Sequence, residues 1–163
     1  MALDWVDTLL RLGAAVVAGG AIGWDRQRTG RPAGLRTHML VSLATAMFVL
    51  IPISTGSPDT TRVIQGVAAG IGFLCAGDIL HLHRAGVERV KGLTSAASLF
   101  VTAAVGMVAA SGLWKLTLTG TALTVLILTV LRRFEPSRRA SRLPTPSTRR
   151  DRGHARVTPV PLG

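Results

Sequence analysis

The stretch Gly23–His38, GWDRQRTGRPAGLRTH, decides how the rest of the chain is read. It sets Asp25 against Arg26, Arg28, Arg31 and Arg36, between two long runs of Ala, Val, Leu, Ile and Gly. A compact basic loop between apolar runs is what a membrane hairpin leaves on its cytoplasmic side. Pro32 favours an extended residue before it and can open a helix, while Gly34 lets the backbone turn as the apolar run beginning at Leu35 opens. Arg36, Thr37 and His38 then fall on the first turn of a helix entering the bilayer.

Composition agrees with that reading. Of 163 residues, 48% are hydrophobic and the mean hydropathy is +0.41, with the apolar residues gathered in runs. This points to a helical membrane protein and away from a soluble domain. Five segments reach or approach the roughly 20 residues that span a hydrocarbon core. They are Trp5–Trp24, Leu35–Ile53, Val63–Leu80, Gly92–Trp114 and, shortest, Leu116–Leu131. The expected fold is all-α, a polytopic transmembrane bundle of about five helices over residues 1–134. A disordered, Arg- and Pro-rich tail over residues 135–163 completes it.

The first segment reads as a retained span and not a cleaved leader, because Asp4 and Asp7 precede Arg11 and no small-residue cleavage pattern follows. Arg11 either snorkels outward or pairs with Asp7 one turn earlier. In the third segment, Gly66, Gly70, Gly72 and Gly77 are expected to let neighbouring helix backbones approach closely. The lone Cys75 excludes an internal disulfide and reads as a small packing residue.

Basic residues in the short connections set the expected orientation. Arg26, Arg28, Arg31 and Arg36 lie in the first connection, and Arg84, Arg89 and Lys91 in the third; the second has only Arg62 and the fourth only Lys115. The first and third connections are therefore expected in the cytoplasm, with the N-terminus outside and the C-terminus inside the bacterial plasma membrane. The formal net charge is +11, of which residues 132–163 supply +7 through nine Arg, Glu135 and Asp151. That tail lacks interleaved aromatics and folded recognition elements, which argues against nucleic acid and for attraction to anionic lipid.

Several blocks carry a resemblance. IGWDR at Ile22–Arg26, AGLRTHMLV at Ala33–Val41, DTTR at Asp59–Arg62, GIGFLCAGDI at Gly70–Ile79, VKGLTSAAS at Val90–Ser98 and VTAAVGM at Val101–Met107 follow one another in the order of the MgtC/SapB family's motifs. The chain resembles that family of bacterial membrane proteins from Leu9 to Leu131. Its motif residues here are Gly23, Gly34, Leu35, Asp59, Arg62, Gly70, Gly72, Gly77 and Gly92. The chain departs from the usual pattern at Asp25, where the family has Glu, and at Cys75, where it has Gly. It departs again at Asp78, usually uncharged, at Lys91, usually Arg, and at Phe100, often Trp. The resemblance implies a role in adaptation to low Mg²⁺, or in virulence, through regulation of another membrane system. A folded C-terminal domain that some relatives carry is not expected from so short and polar a tail.

The candidate site is a polar cluster at the cytoplasmic ends of the helices: Asp25, Arg26, Arg36, Thr37, His38, Asp78, Lys91 and Thr94. Basic residues beside helix N-termini are unfavourable unless carboxylates or a bound phosphate compensate. Asp25 and Asp78 sit on closing turns with the opposite mismatch, so a salt bridge from either to Arg36 is expected to pin two hairpins together. The competing reading makes the carboxylates part of an ion path or a Mg²⁺ site, in a channel or transporter assembled by an oligomer through the third segment. The string Asp78, His81 and His83 is a weaker transition-metal candidate. No nucleophile-base pattern, phosphate loop or zinc motif appears, so no enzyme chemistry and no resident cofactor are expected. A shift of 58 positions aligns Arg26 with Arg84 and Gly34-Leu35 with Gly92-Leu93, which is as well explained by chance and shared packing as by a parallel repeat.

Overall fold

A computed structural model describes residues 4–31, 33–83 and 92–134, without the side chains of residues 80–83 and 131–134. Within them the chain forms five helices: α1 (Trp5–Arg28), α2 (Leu35–Thr55), α3 (Thr60–His83), α4 (Leu93–Ala110) and α5 (Trp114–Phe134). Four of these, α1 to α4, are long and apolar enough to cross a membrane, and α5 carries a shorter apolar stretch, Trp114–Val130. Arg84, Arg89, Lys91 and the tail lie outside the described residues.

The helix ends differ from the sequence reading for local reasons. α1 runs past Trp24 to Arg28, so Asp25, Arg26 and Arg28 belong to its last turns and the connecting loop shrinks to residues 29–34. The chain turns there at Gly30, whose φ of 63° suits glycine. Gly34 has no side chain with which to cap α2, and Gln27 Oε1 on α1 accepts from the Leu35 amide at 3.2 Å instead. α2 continues through Pro52 and stops at left-handed Gly56. α4 ends at Ala110, earlier than expected, because Gly112 adopts φ 72° and breaks the path before α5 starts.

α4 is the hub, touching all four other helices; α1, α2 and α4 pack as a close triple, with α3 against α4 and α2, and α5 against α1 and α4. The triple is close because two of its members lack side chains where α2 crosses. A Cβ on Gly19 would lie 2.7 Å from both the His38 carbonyl oxygen and Ser42 Cβ, and one on Gly23 would lie 2.8 Å from Leu35 Cα. A Cβ on Gly106 of α4 would meet the Ser42 carbonyl oxygen and Thr45 Oγ1. Small residues that admit a neighbouring backbone are the usual device of membrane helix packing.

The glycines of α3 do not do this, contrary to the sequence expectation. Among the described residues nothing lies within 4 Å of where a Cβ would stand on Gly66, Gly70, Gly72 or Gly77. α3 is the least enclosed span, with 11% of its apolar window buried against 56% for α4. Its outward residues include Phe73 and Leu74, and an apolar groove of about 540 Å³ separates its middle from Val41, Ala44 and Phe48 of α2.

Candidate functional site

The buried stripe of α1 reads Ala15, Ala18, Gly19, Ile22, Gly23 and Arg26, so helical periodicity carries an arginine inward on the last turn. Arg26 is only 3% exposed, and its Nη2 donates to Ser95 Oγ on the first turn of α4 at 2.7 Å. Asp25 and Asp78 attract this guanidinium and Arg31 repels it. The charges are thus matched, but the hydrogen bonds are not. Arg26 Nε and Asp78 Oδ2 are both buried without a partner among the described residues.

α2 contributes His38, fully buried between α1 and α4. Its Nδ1 lies 2.9 Å from the Gly34 carbonyl oxygen, and its Nε2 lies 3.3 Å from Ser98 Oγ on α4. Ser98 Oγ in turn donates to the Ser95 carbonyl at 2.7 Å. A polar thread therefore runs from Arg26 through Ser95 and Ser98 to His38, joining α1, α4 and α2. α3 reaches the same end of α4 through Cys75, whose thiol donates to the Ala96 carbonyl at 3.1 Å. The thread continues along the α2–α4 seam, where Thr102 donates to the Ser98 carbonyl at 2.8 Å and Thr45 to the Ala103 carbonyl at 3.0 Å.

Of the residues singled out in the sequence, Arg26, His38, Asp25 and Asp78 gather at this junction. Arg36, Thr37 and Thr94 are exposed on its rim. Lys91 and the side chains of His81 and His83 lie outside the described residues. The expected pin to Arg36 is not seen: Arg36 is exposed, and the ion pairs seen among the described residues include Arg11–Asp7 and Arg62–Asp59. The reason is azimuth. The inward stripe of α2 passes through His38, Ser42, Thr45 and Val49, which leaves Arg36 off the packed face, whereas Arg26 lies on that of α1. Of the glycines in the motifs, Gly23 is pressed against α2, while Gly34 and Gly92 stand at the N-caps of α2 and α4. Asp59 and Arg62 form an exposed pair of 3.8 Å at the start of α3, far along the chain from the junction.

Ser95 figured in the sequence only within the Gly92–Ser95 opening of its helix and Ser98 only as the end of the Val90–Ser98 block, and neither Gly19 nor Gly106 was singled out for close packing. The spacing Gly19-xxx-Gly23 was visible as a small-residue motif; Ser95 and Ser98 carry no comparable signal until α1 is seen to deliver Arg26 beside them. Among the described residues no group of three or more His, Cys, Asp or Glu could hold a metal ion. At Asp78 the counter-charge comes from Arg26 itself.

The opposite end of the bundle has its own arginine. Arg11 pairs with Asp7 at 2.8 Å, as one of the two sequence readings had it, and its Nη1 donates to the Ala110 carbonyl at 2.8 Å. Its guanidinium lies against Gly112, where a Cβ would come within 3.1 Å of Cζ.

Comparison with known proteins agrees with this architecture. The MgtC family model matches residues 12–137, which takes in α1 from the end of its second turn onward and all of α2 to α5. The chain belongs to the MgtC family. Protein SrpB of Synechococcus elongatus is 45% identical over 143 residues, covering 81% of this chain and 79% of SrpB. YhiD of Escherichia coli K12, whose name proposes magnesium transport, is 38% identical over 131 residues, covering 75% of this chain and 59% of YhiD. Protein MgtC of Salmonella typhimurium is 38% identical over 136 residues, covering 83% of this chain and 56% of that protein. The chain thus spans little more than half the length of YhiD and MgtC. No solved structure matches it. Family membership and four membrane-length apolar helices make this a membrane protein.

Proposed function

We propose that this chain is a membrane-embedded regulator of the MgtC type, acting in adaptation to low Mg²⁺ or in virulence by binding another membrane protein. The observation that carries this reading is the close α1–α2–α4 seam: Ser42, Thr45 and Thr102 are tied to helix carbonyls, and Gly19, Gly23 and Gly106 bring the backbones into contact. Packing of that kind supports a rigid scaffold more than a conduit within one chain. The protein sits in the plasma membrane with the junction and the C-terminus in the cytoplasm, since Arg26, Arg28, Arg31 and Arg36 collect at one end. The basic tail associates with anionic lipid.

Transport of Mg²⁺ or another cation, by a homo-oligomer, is the second reading; it is favoured by the name of YhiD and by the two carboxylates at the junction. Purified protein in liposomes separates the two. The regulator should pass no Mg²⁺ under a gradient and a membrane potential, and should retain one specific membrane protein when isolated from native membranes. Cation flux above that of empty liposomes would overturn it.

A further inference from the structure

His38 is surrounded by hydrogen bonds that require one more proton than a neutral ring supplies. The Gly34 carbonyl can only accept, so the 2.9 Å contact puts a hydrogen on Nδ1. A neutral imidazole then offers a bare Nε2, which needs a donor. Its neighbour, Ser98 Oγ at 3.3 Å, has a single hydrogen, already directed at the Ser95 carbonyl over the shorter distance of 2.7 Å. With the ring neutral, one of these two contacts goes unmade. With a second proton on Nε2, the ring donates at both nitrogens, Ser98 accepts from one side and donates to the other, and all three bonds exist together.

We propose that His38 is a reversible proton-binding site built into the junction of α1, α2 and α4. The step is simple: a proton from the aqueous phase forms an N–H bond with the Nε2 lone pair, and imidazole becomes imidazolium. Burial of the ring and Arg26 on α1 both oppose the added charge, and the bond to the Gly34 carbonyl favours it; Asp25 on α1 and Asp78 on α3 attract the Arg26 guanidinium, while Ser95 and Ser98 are the polar groups α4 presents. Arg31 in the loop also repels Arg26, and Arg36 on the same helix as His38 is exposed to solvent. Protonation locks Ser98 between α2 and α4 and so stiffens the seam; loss of the proton frees the hydroxyl to turn. The site does not depend on whether the chain regulates or transports.

The test is solid-state ¹⁵N NMR of histidine-labelled protein in bilayers, with His38 identified as the signal lost in His38→Gln. As the pH is lowered from about 8 through and below the range in which histidine ordinarily changes charge, Nδ1 should stay protonated throughout while Nε2 gains a proton. Asp78→Asn, with its folding checked by denaturant unfolding, should cut the ratio of doubly to singly protonated His38 at any fixed pH about threefold or more, because it weakens the neutralisation of Arg26. Ser98→Ala should lower the same ratio by removing the acceptor. A His38 that stays neutral across the range, that carries its proton on Nε2 in place of Nδ1, or whose ratio is unmoved by both substitutions would overturn the proposal.

Discussion

The two ends of the α1–α4 contact are each held by an arginine from α1, and the two are built oppositely. Arg11 meets α4 at its C-terminus, where the helix dipole favours a cation, donates to the terminal Ala110 carbonyl, and pairs with Asp7 on its own helix. Arg26 meets α4 at its N-terminal turn, where the dipole opposes a cation, and its Nε has no partner among the described residues. One clamp agrees with the backbone electrostatics around it. The other is sustained by carboxylates on α1 and α3 and by burial. A buried charge against an unfavourable dipole is costly unless compensated, and sites kept at such a cost are where function concentrates. The contrast assigns Arg11 to holding the bundle together and Arg26 to organising the junction.

Removing charge at each end breaks the comparison in a measurable order. Arg26→Met removes the buried guanidinium that Asp25 and Asp78 attract and that donates to Ser95, and should lower stability by about 1.5–3 kcal/mol, read by denaturant unfolding in mixed micelles. The double variant Arg26→Met/Asp78→Leu should regain part of that loss, because it also removes the half-buried carboxylate whose Oδ2 is enclosed; no recovery would show that Asp78 is not the relevant partner. Gly106→Ala comes next, at about 1–3 kcal/mol or more, since the new methyl is driven into the Ser42 backbone. Arg11→Met should cost less, about 1–2 kcal/mol, because Asp7 is at the surface and can be solvated once alone. At the far end of the scale, Gly70→Ala should be neutral or stabilise by up to about 1 kcal/mol through helix propensity, as its Cβ position is open. A large loss there would instead reveal a helix pressed against α3 in the membrane.

The candidate site was half legible from the residues. Asp25, Arg26, His38 and Asp78 were picked out as a cluster because charges at the ends of apolar spans need partners. Arg36 was given the role that Arg26 plays, because ending α1 at Trp24 put Arg26 in a loop. Extending the stripe Ala15, Gly19, Ile22 by one more turn leads to Arg26, so the signal was present but depended on a helix end. Helix ends are decided by local capping, here by Gly30 and by a hydrogen bond from the Leu35 amide to Gln27 across the hairpin, which no periodicity reports.

Length and hydropathy determined the class of this protein by themselves, since a helix that crosses a bilayer must satisfy its own backbone and present about 20 apolar residues. The order of the helices and the side on which arginine gathers follow from the same pattern. Which face of each helix turns inward among neighbours was decided only by tertiary structure. In a span that is apolar all round, lipid and protein solvate side chains almost equally, so hydropathy carries little azimuthal information and packing of small residues settles the matter. That is why α3, with four glycines, lies open, while single glycines at positions 19, 23 and 106 bring the backbones together around His38.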